Sequence, residues 1–160
     1  MDNINSIITE LLSLIDKKRQ LFDTIMEVTL EQKKVIEENE AHTIGELVAK
    51  KQGVINSIEE IDRLFSDKFD MLKKNLKIDS LEKADYIKYP LLKTLKLKVE
   101  DIMSLAQKIM EIEKTNSEKL LVIFEGLKKE LKKLSVGKRS IRAYETPVIN
   151  NDGIYIDKKK

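Results

Sequence analysis

A seam of apolar residues runs from Leu92 to Leu134 without a proline, and it limits what this chain can fold into more than any other feature. Steps alternating between three and four pass from Leu92 through Leu95, Val99, Ile102, Ala106, Ile109, Glu113, Asn116, Leu120, Ile123, Leu127 and Glu130 to Leu134. Only Glu113, Asn116 and Glu130 on that path are polar. The spacing is the seven-residue repeat of a helix packed lengthwise against other helices. At about 1.5 Å per residue such a helix is about 65 Å long, well beyond the ordinary globular helix. A helix of that length exposes much flank and encloses little volume. It suits a strut or a docking surface, not a catalytic pocket.

Two more helices precede it. The first starts at Asp2 or Asn3, either of which can cap it, and carries Ile4, Ile8, Leu11, Ile15, Phe22, Ile25 and Ile36 on one stripe. Lys18, Thr29 and Gln32 interrupt that stripe, which fades at Glu37–His42. Thr43-Ile44-Gly45-Glu46 reads as a capping box that opens the second helix. Its seam is Ile44, Val48, Ile55, Ile58, Phe65, Phe69, Leu72 and Leu76, with Gly53 inside it at a cost of about 1 kcal/mol relative to alanine. Close approach of a neighbouring helix is one reason for a glycine there. Asp79 or Ser80 caps a short turn, Tyr89-Pro90 opens the third helix, and Gly137 stops it.

Short connections make consecutive helices antiparallel. The expected fold is all-α: an elongated antiparallel three-helix bundle with coiled-coil-like packing, its helices near 3–40, 43–77 and 90–135. The bundle takes residues 1–136, and a short non-helical C-terminal tail takes 137–160. Pro147 and Asn150-Asn151-Asp152-Gly153 form turns there, between Val148-Ile149 and Ile154-Tyr155-Ile156. The tail is either a frayed end or a short hairpin that docks on the bundle or on a partner.

Composition narrows the function. Charged residues make up 36% of the 160, aromatics 5%, and there is no cysteine, which excludes disulfides and thiolate chemistry. Met1–Asn5 has no basic stretch before an apolar core, and no window spans a bilayer, so a cytoplasmic protein is expected, with no membrane insertion. Residues 136–160 hold six basic and three acidic side chains, which leaves the rest, with 24 and 25, near neutral. Lys128-Lys129, Lys132-Lys133, Lys138-Arg139 and Arg142 suit a solvated helix end, and no nucleic-acid partner is expected.

Catalytic groups are scarce. His42 is the lone histidine, and one turn from Glu38 it makes two ligands at most, too few for a metal site. The five glycines are isolated and form no phosphate loop. No enzyme activity, metal or cofactor is expected. Asn116 fixes helix register through a buried hydrogen bond or meets a partner, whereas Glu113 and Glu130 reach solvent on flexible stems. Surplus apolar surface is the better clue. In Leu120-Leu121-Val122-Ile123-Phe124 the core stripe uses Leu120 and Ile123, with Leu127 beyond, which leaves Leu121, Val122 and Phe124 pointing elsewhere. Leu11-Leu12-Ser13-Leu14-Ile15 has the same excess. Either a widened core absorbs these residues, or they mark a partner or dimer surface.

Several stretches resemble the FlgN family of flagellar export chaperones. They are Gln32–Glu46, Lys50-Lys51-Gln52, Ile58-Glu59-Glu60-Ile61-Asp62-Arg63, and the Asn116-then-Leu120-Leu121 pattern within Glu113–Leu121. The tail, with Tyr144, Gly153 and Tyr155–Lys160, is similar to clostridia-type members. The resemblance implies a cytosolic chaperone that binds the C-terminal helical segments of hook-associated (hook–filament junction) proteins and touches the flagellar export gate. Candidate client-binding residues are Asn116, Leu120, Leu121, Val122 and Phe124 on the third helix, and Tyr144, Ile154 and Tyr155 in the tail. Met103 and Met110 either lend an adaptable surface or fill core gaps. The alternative is a structural coiled-coil adaptor that uses its apolar surplus for self-assembly, and a homodimer is compatible with both.

Overall fold

The computed structural model of this chain describes residues 2–134. The fold is an all-α helical bundle, with no strand among the described residues. Helix α1 covers Asp2–Glu37, α2 covers Ile44–Leu76 and α3 covers Leu91–Lys133. The seams predicted these three spans to within a few residues at each end. The tail expectations at 137–160 and the stop at Gly137 lie outside the described residues.

The helix ends show which local signals operate. At the end of α1 the Glu40 N–H donates to the Val35 carbonyl at 2.7 Å and the Asn39 N–H to Ile36 at 3.3 Å, with Asn39 at φ 59°. That is a Schellman stop, and asparagine tolerates its left-handed position. Helix α2 ends the same way: Ile78 donates to Lys73, Lys77 donates to Lys74, and Lys77 sits at φ 56°. A lysine there is strained.

The expected capping box at Thr43 does not form. A one-turn 3-10 helix over Ala41–Thr43 precedes α2, and both the N–H and the hydroxyl of Thr43 donate to the Glu40 carbonyl, at 3.0 and 2.9 Å. The backbone donor that Glu46 was to satisfy is already used. In the α2–α3 connection Ser80 starts a second 3-10 turn without a side-chain bond, and Asp79 is ion-paired with Lys83. Asp85 does the capping instead, its carboxylate accepting the N–H groups of Ile87 and Lys88. Pro90 stands one residue before α3, where its carbonyl accepts from Lys93.

The chain divides into two compact units. The first joins the residues up to Met26 to Gly53–Lys108. Its core is apolar, with Ile8, Leu11, Ile58, Leu72, Leu92 and Leu95 fully buried. Ion pairs at its rim run Glu10 to Lys68 and Lys18 to Asp62, so α1 and α2 are antiparallel. Asp16 to Lys98 and Arg19 to Asp101 rise together, so α1 and α3 are parallel. Ordinary helix-to-helix packing buries this core; no glycine is needed for it. A Cβ built on Gly53 meets nothing within 4 Å, which removes close helix approach as its reason.

The second unit joins Glu27–Gln52 to the described residues from Ile109 onward. Val28, Ile36, Ile44 and Ile109 are buried in it, and so are five polar side chains: Thr29, Gln32, Lys51, Glu113 and Asn116. Every buried polar or charged residue among the described residues lies in this unit.

Candidate functional site

The site is built by a difference in helix length inside the second unit. Glu37, the last residue of α1, is ion-paired at 3.3 Å with Lys119 of α3. From Leu120 to Lys133 α3 continues beyond that pair, and its seam continues in phase to Leu134. Burial follows. Ile109, Glu113 and Asn116 are buried, Leu120, Ile123 and Phe124 are half-buried, and Leu127 and Leu134 are 49% and 73% exposed. At the helical period Leu120, Ile123, Phe124, Leu127, Leu131 and Leu134 share one face. The core stripe expected through Ile123 and Leu127 therefore opens into a strip that is half-buried at Leu120, Ile123, Phe124 and Leu131 and exposed at Leu127 and Leu134. Exposed contiguous apolar surface of this kind is the usual mark of a partner surface, and among the described residues nothing packs over its far end.

The individual candidates separate on this geometry. Leu120 and Phe124 lie on the strip and Leu121 on its flank. Val122 is 72% exposed and falls with Lys129 and Lys133 on the opposite side, an isolated apolar residue of the ordinary surface kind. Asn116 faces the interior: it is buried, and its Nδ2 donates to the Thr29 carbonyl at 3.2 Å. The register hydrogen bond expected of it is present. Tyr144, Ile154 and Tyr155 lie outside the described residues. Met103 is exposed and Met110 half-buried, so Met103 fills no core gap.

Glu113 departs from expectation. It does not reach solvent; it is ion-paired with Lys51 and accepts from the Thr29 hydroxyl at 3.2 Å. Lys51 also donates to the Gln32 side-chain oxygen. The result is one polar layer across α1, α2 and α3, directly below the strip on α3. The Oδ1 of Asn116 is buried and meets no hydrogen-bond partner among the described residues. A buried acceptor of that kind costs about 1–3 kcal/mol.

A cavity of about 500 Å³ opens beside the α2–α3 connection in the first unit, lined by Ile4, Leu76, Ile78, Lys83, Asp85 and Tyr89 among others. Two of its charged groups are already engaged: Asp85 caps the turn and Lys83 pairs with Asp79. No group of three or more side chains among the described residues is placed to hold a metal, and no described helix is long and apolar enough to cross a membrane.

The family model described as FlgN protein matches residues 1–147. No curated protein and no solved structure matches the chain.

Proposed function

Because this chain belongs to the FlgN family, a family of flagellar export chaperones and not of enzymes, we propose that it binds the C-terminal helical segments of flagellar hook-associated proteins. These are the hook–filament junction proteins, and in this reading the chain keeps them unassembled until export. The observation that carries the proposal is the α3 strip from Leu120 to Leu134, which runs on past the Glu37–Lys119 pair. A client helix lies along that strip and buries its own apolar face, as helix-in-groove recognition does. Shielding that face stops premature assembly, and a strip of about four turns permits release.

The reading places the protein in the cytoplasm and includes contact with the export gate, for which no residue is assigned. The tail residues Tyr144, Ile154 and Tyr155 remain part of it as client contacts. Titration calorimetry with a C-terminal peptide of each junction protein tests it. Micromolar to nanomolar binding, about −8 to −12 kcal/mol, with a negative heat-capacity change is the expected result. No complex with either peptide, together with a dimer by sedimentation, replaces this reading with a self-assembling adaptor that uses the same strip.

A further inference from the structure

Among the described residues of the first unit the fully buried side chains are all apolar: Ile8, Leu11, Ile58, Leu72, Leu92 and Leu95. In the second unit the corresponding seam positions hold Thr29 and Gln32 on α1, Lys51 on α2, and Glu113 and Asn116 on α3. We propose that this polar layer makes the second unit a separately opening part of the bundle, which parts to admit an amphipathic helix while the first unit stays folded.

Burying Lys51 and Glu113 strips both of water, and their attraction in the interior returns that loss only in part. When the unit opens, both charges and the Gln32 and Asn116 amides regain water. Asn116 Oδ1, which meets no hydrogen-bond partner among the described residues of the closed form, becomes open to water. An apolar core has no such return, since opening it only exposes hydrocarbon. The free energy of local opening is therefore lower in the second unit than in the first.

Opening also enlarges the docking surface. Ile109 lies on the same α3 seam as Leu120, Ile123 and Leu127, and Val28, Ile36 and Ile44 are buried in the same unit. Once the layer parts, an incoming helix gains apolar contact along α3 beyond the strip that stands uncovered in the closed form. The admission step rests on the chaperone reading; the opening step does not.

Native-state hydrogen exchange of the full chain in low urea tests the opening. Amides within 28–36, 44–52 and 109–119 are expected to exchange together, about tenfold or more faster than amides around Ile8–Ile15, Ile58, Leu72 and Leu92–Ile102. In Lys51→Met/Glu113→Leu, second-unit exchange slows by about tenfold or more, because well-packed apolar replacement of a buried pair stabilises. In Lys51→Met alone it accelerates, because Glu113 is left buried without its cation. One common exchange step for both units in the unmodified chain overturns the proposal, and so does unchanged second-unit exchange in a folded double variant. Calorimetry with the junction-protein peptides then tests admission: the double variant is expected to bind at least about tenfold more weakly, the free-energy equivalent of the stabilisation it gains. Equal binding overturns admission, whereas failure of both proteins to bind overturns the chaperone reading and leaves the opening to the exchange result.

Discussion

Lys51 of α2 and Glu113 of α3 are ion-paired in the interior of the second unit, with 4% and 7% of their surfaces exposed. Either charge alone would be intolerable there. Together, and with Gln32 and Thr29 completing their hydrogen bonds, they form a layer where, among the described residues, the helices meet through buried polar groups.

A double-mutant cycle at this pair separates the cost of breaking it from its net worth. Glu113→Leu alone and Lys51→Met alone each lose about 3–5 kcal/mol in urea unfolding, because each leaves the other charge buried and uncompensated. The double variant unfolds at or above the stability of the parent, by up to about 4 kcal/mol. Singles that are mild and additive would mean that the pair is solvated in solution.

Lys77 holds a left-handed backbone angle at the end of α2, φ 56°, where glycine carries no steric penalty. Lys77→Gly is expected to stabilise by about 1 kcal/mol, or about 2–4 °C in Tm for a chain of this size. Lys77→Ala keeps the strain and is the control. It should change little, which shows that the gain comes from the backbone and not from the lost charge.

Gly53 presents the opposite case. It lies mid-helix in α2, exposed, with open space where a Cβ would stand. Gly53→Ala is expected to add about 1 kcal/mol in thermal or urea unfolding, through helix propensity and a less flexible unfolded chain. A loss would show that something contacts this face in solution.

Helix order and length were legible in the chain because apolar periodicity records which face is covered, and α1, α2 and α3 keep theirs over many turns. The ends were less legible. Asn39 terminates α1 where the sequence shows only a fading stripe, and Asp85 caps a second turn beyond the one that Ser80 opens. Those outcomes depend on which carbonyl or N–H is free after the chain has turned. The polar layer was half visible. Thr29 and Gln32 interrupt α1 three residues apart, Glu113 and Asn116 interrupt α3 three residues apart, and the two interruptions are 84 positions apart in each case. Glu37–Lys119 and Asp16–Lys98 pair at an offset of 82, so matching gaps on parallel helices signal a shared layer. Lys51 completes it only through tertiary packing, which no local pattern records.

Charge scanning along α3 tests where its seam changes from core to surface. Leu95→Glu, at a fully buried position in the first unit, is expected to unfold the protein by burying an unpaired carboxylate. Leu127→Glu, half-exposed on the strip, should keep the helical circular dichroism and Tm of the parent yet weaken client-peptide binding about tenfold or more. Ile123→Glu falls between the two, because Ile123 is only half-buried. Unfolding by Leu127→Glu as severe as by Leu95→Glu would mean that the strip is covered in solution.

Truncation separates the α3 strip from the chain beyond it. A protein ending at Lys119 retains the Glu37–Lys119 pair, the polar layer and the whole apolar core of the first unit. It loses the α3 stretch whose seam side chains are half-buried or exposed. It is expected to unfold cooperatively near the parent Tm and to bind no junction-protein peptide, since the client's apolar face then has no strip to lie on. A protein ending at Leu134 keeps the strip and lacks Tyr144, Ile154 and Tyr155. Parent-like binding by that protein places the client on α3 alone, whereas a loss of about tenfold or more, 1.4 kcal/mol or above, assigns part of the grip to the tail. Peptide binding that survives truncation at Lys119 would remove the strip from the mechanism altogether, because the only apolar surface then left to the client is elsewhere on the bundle.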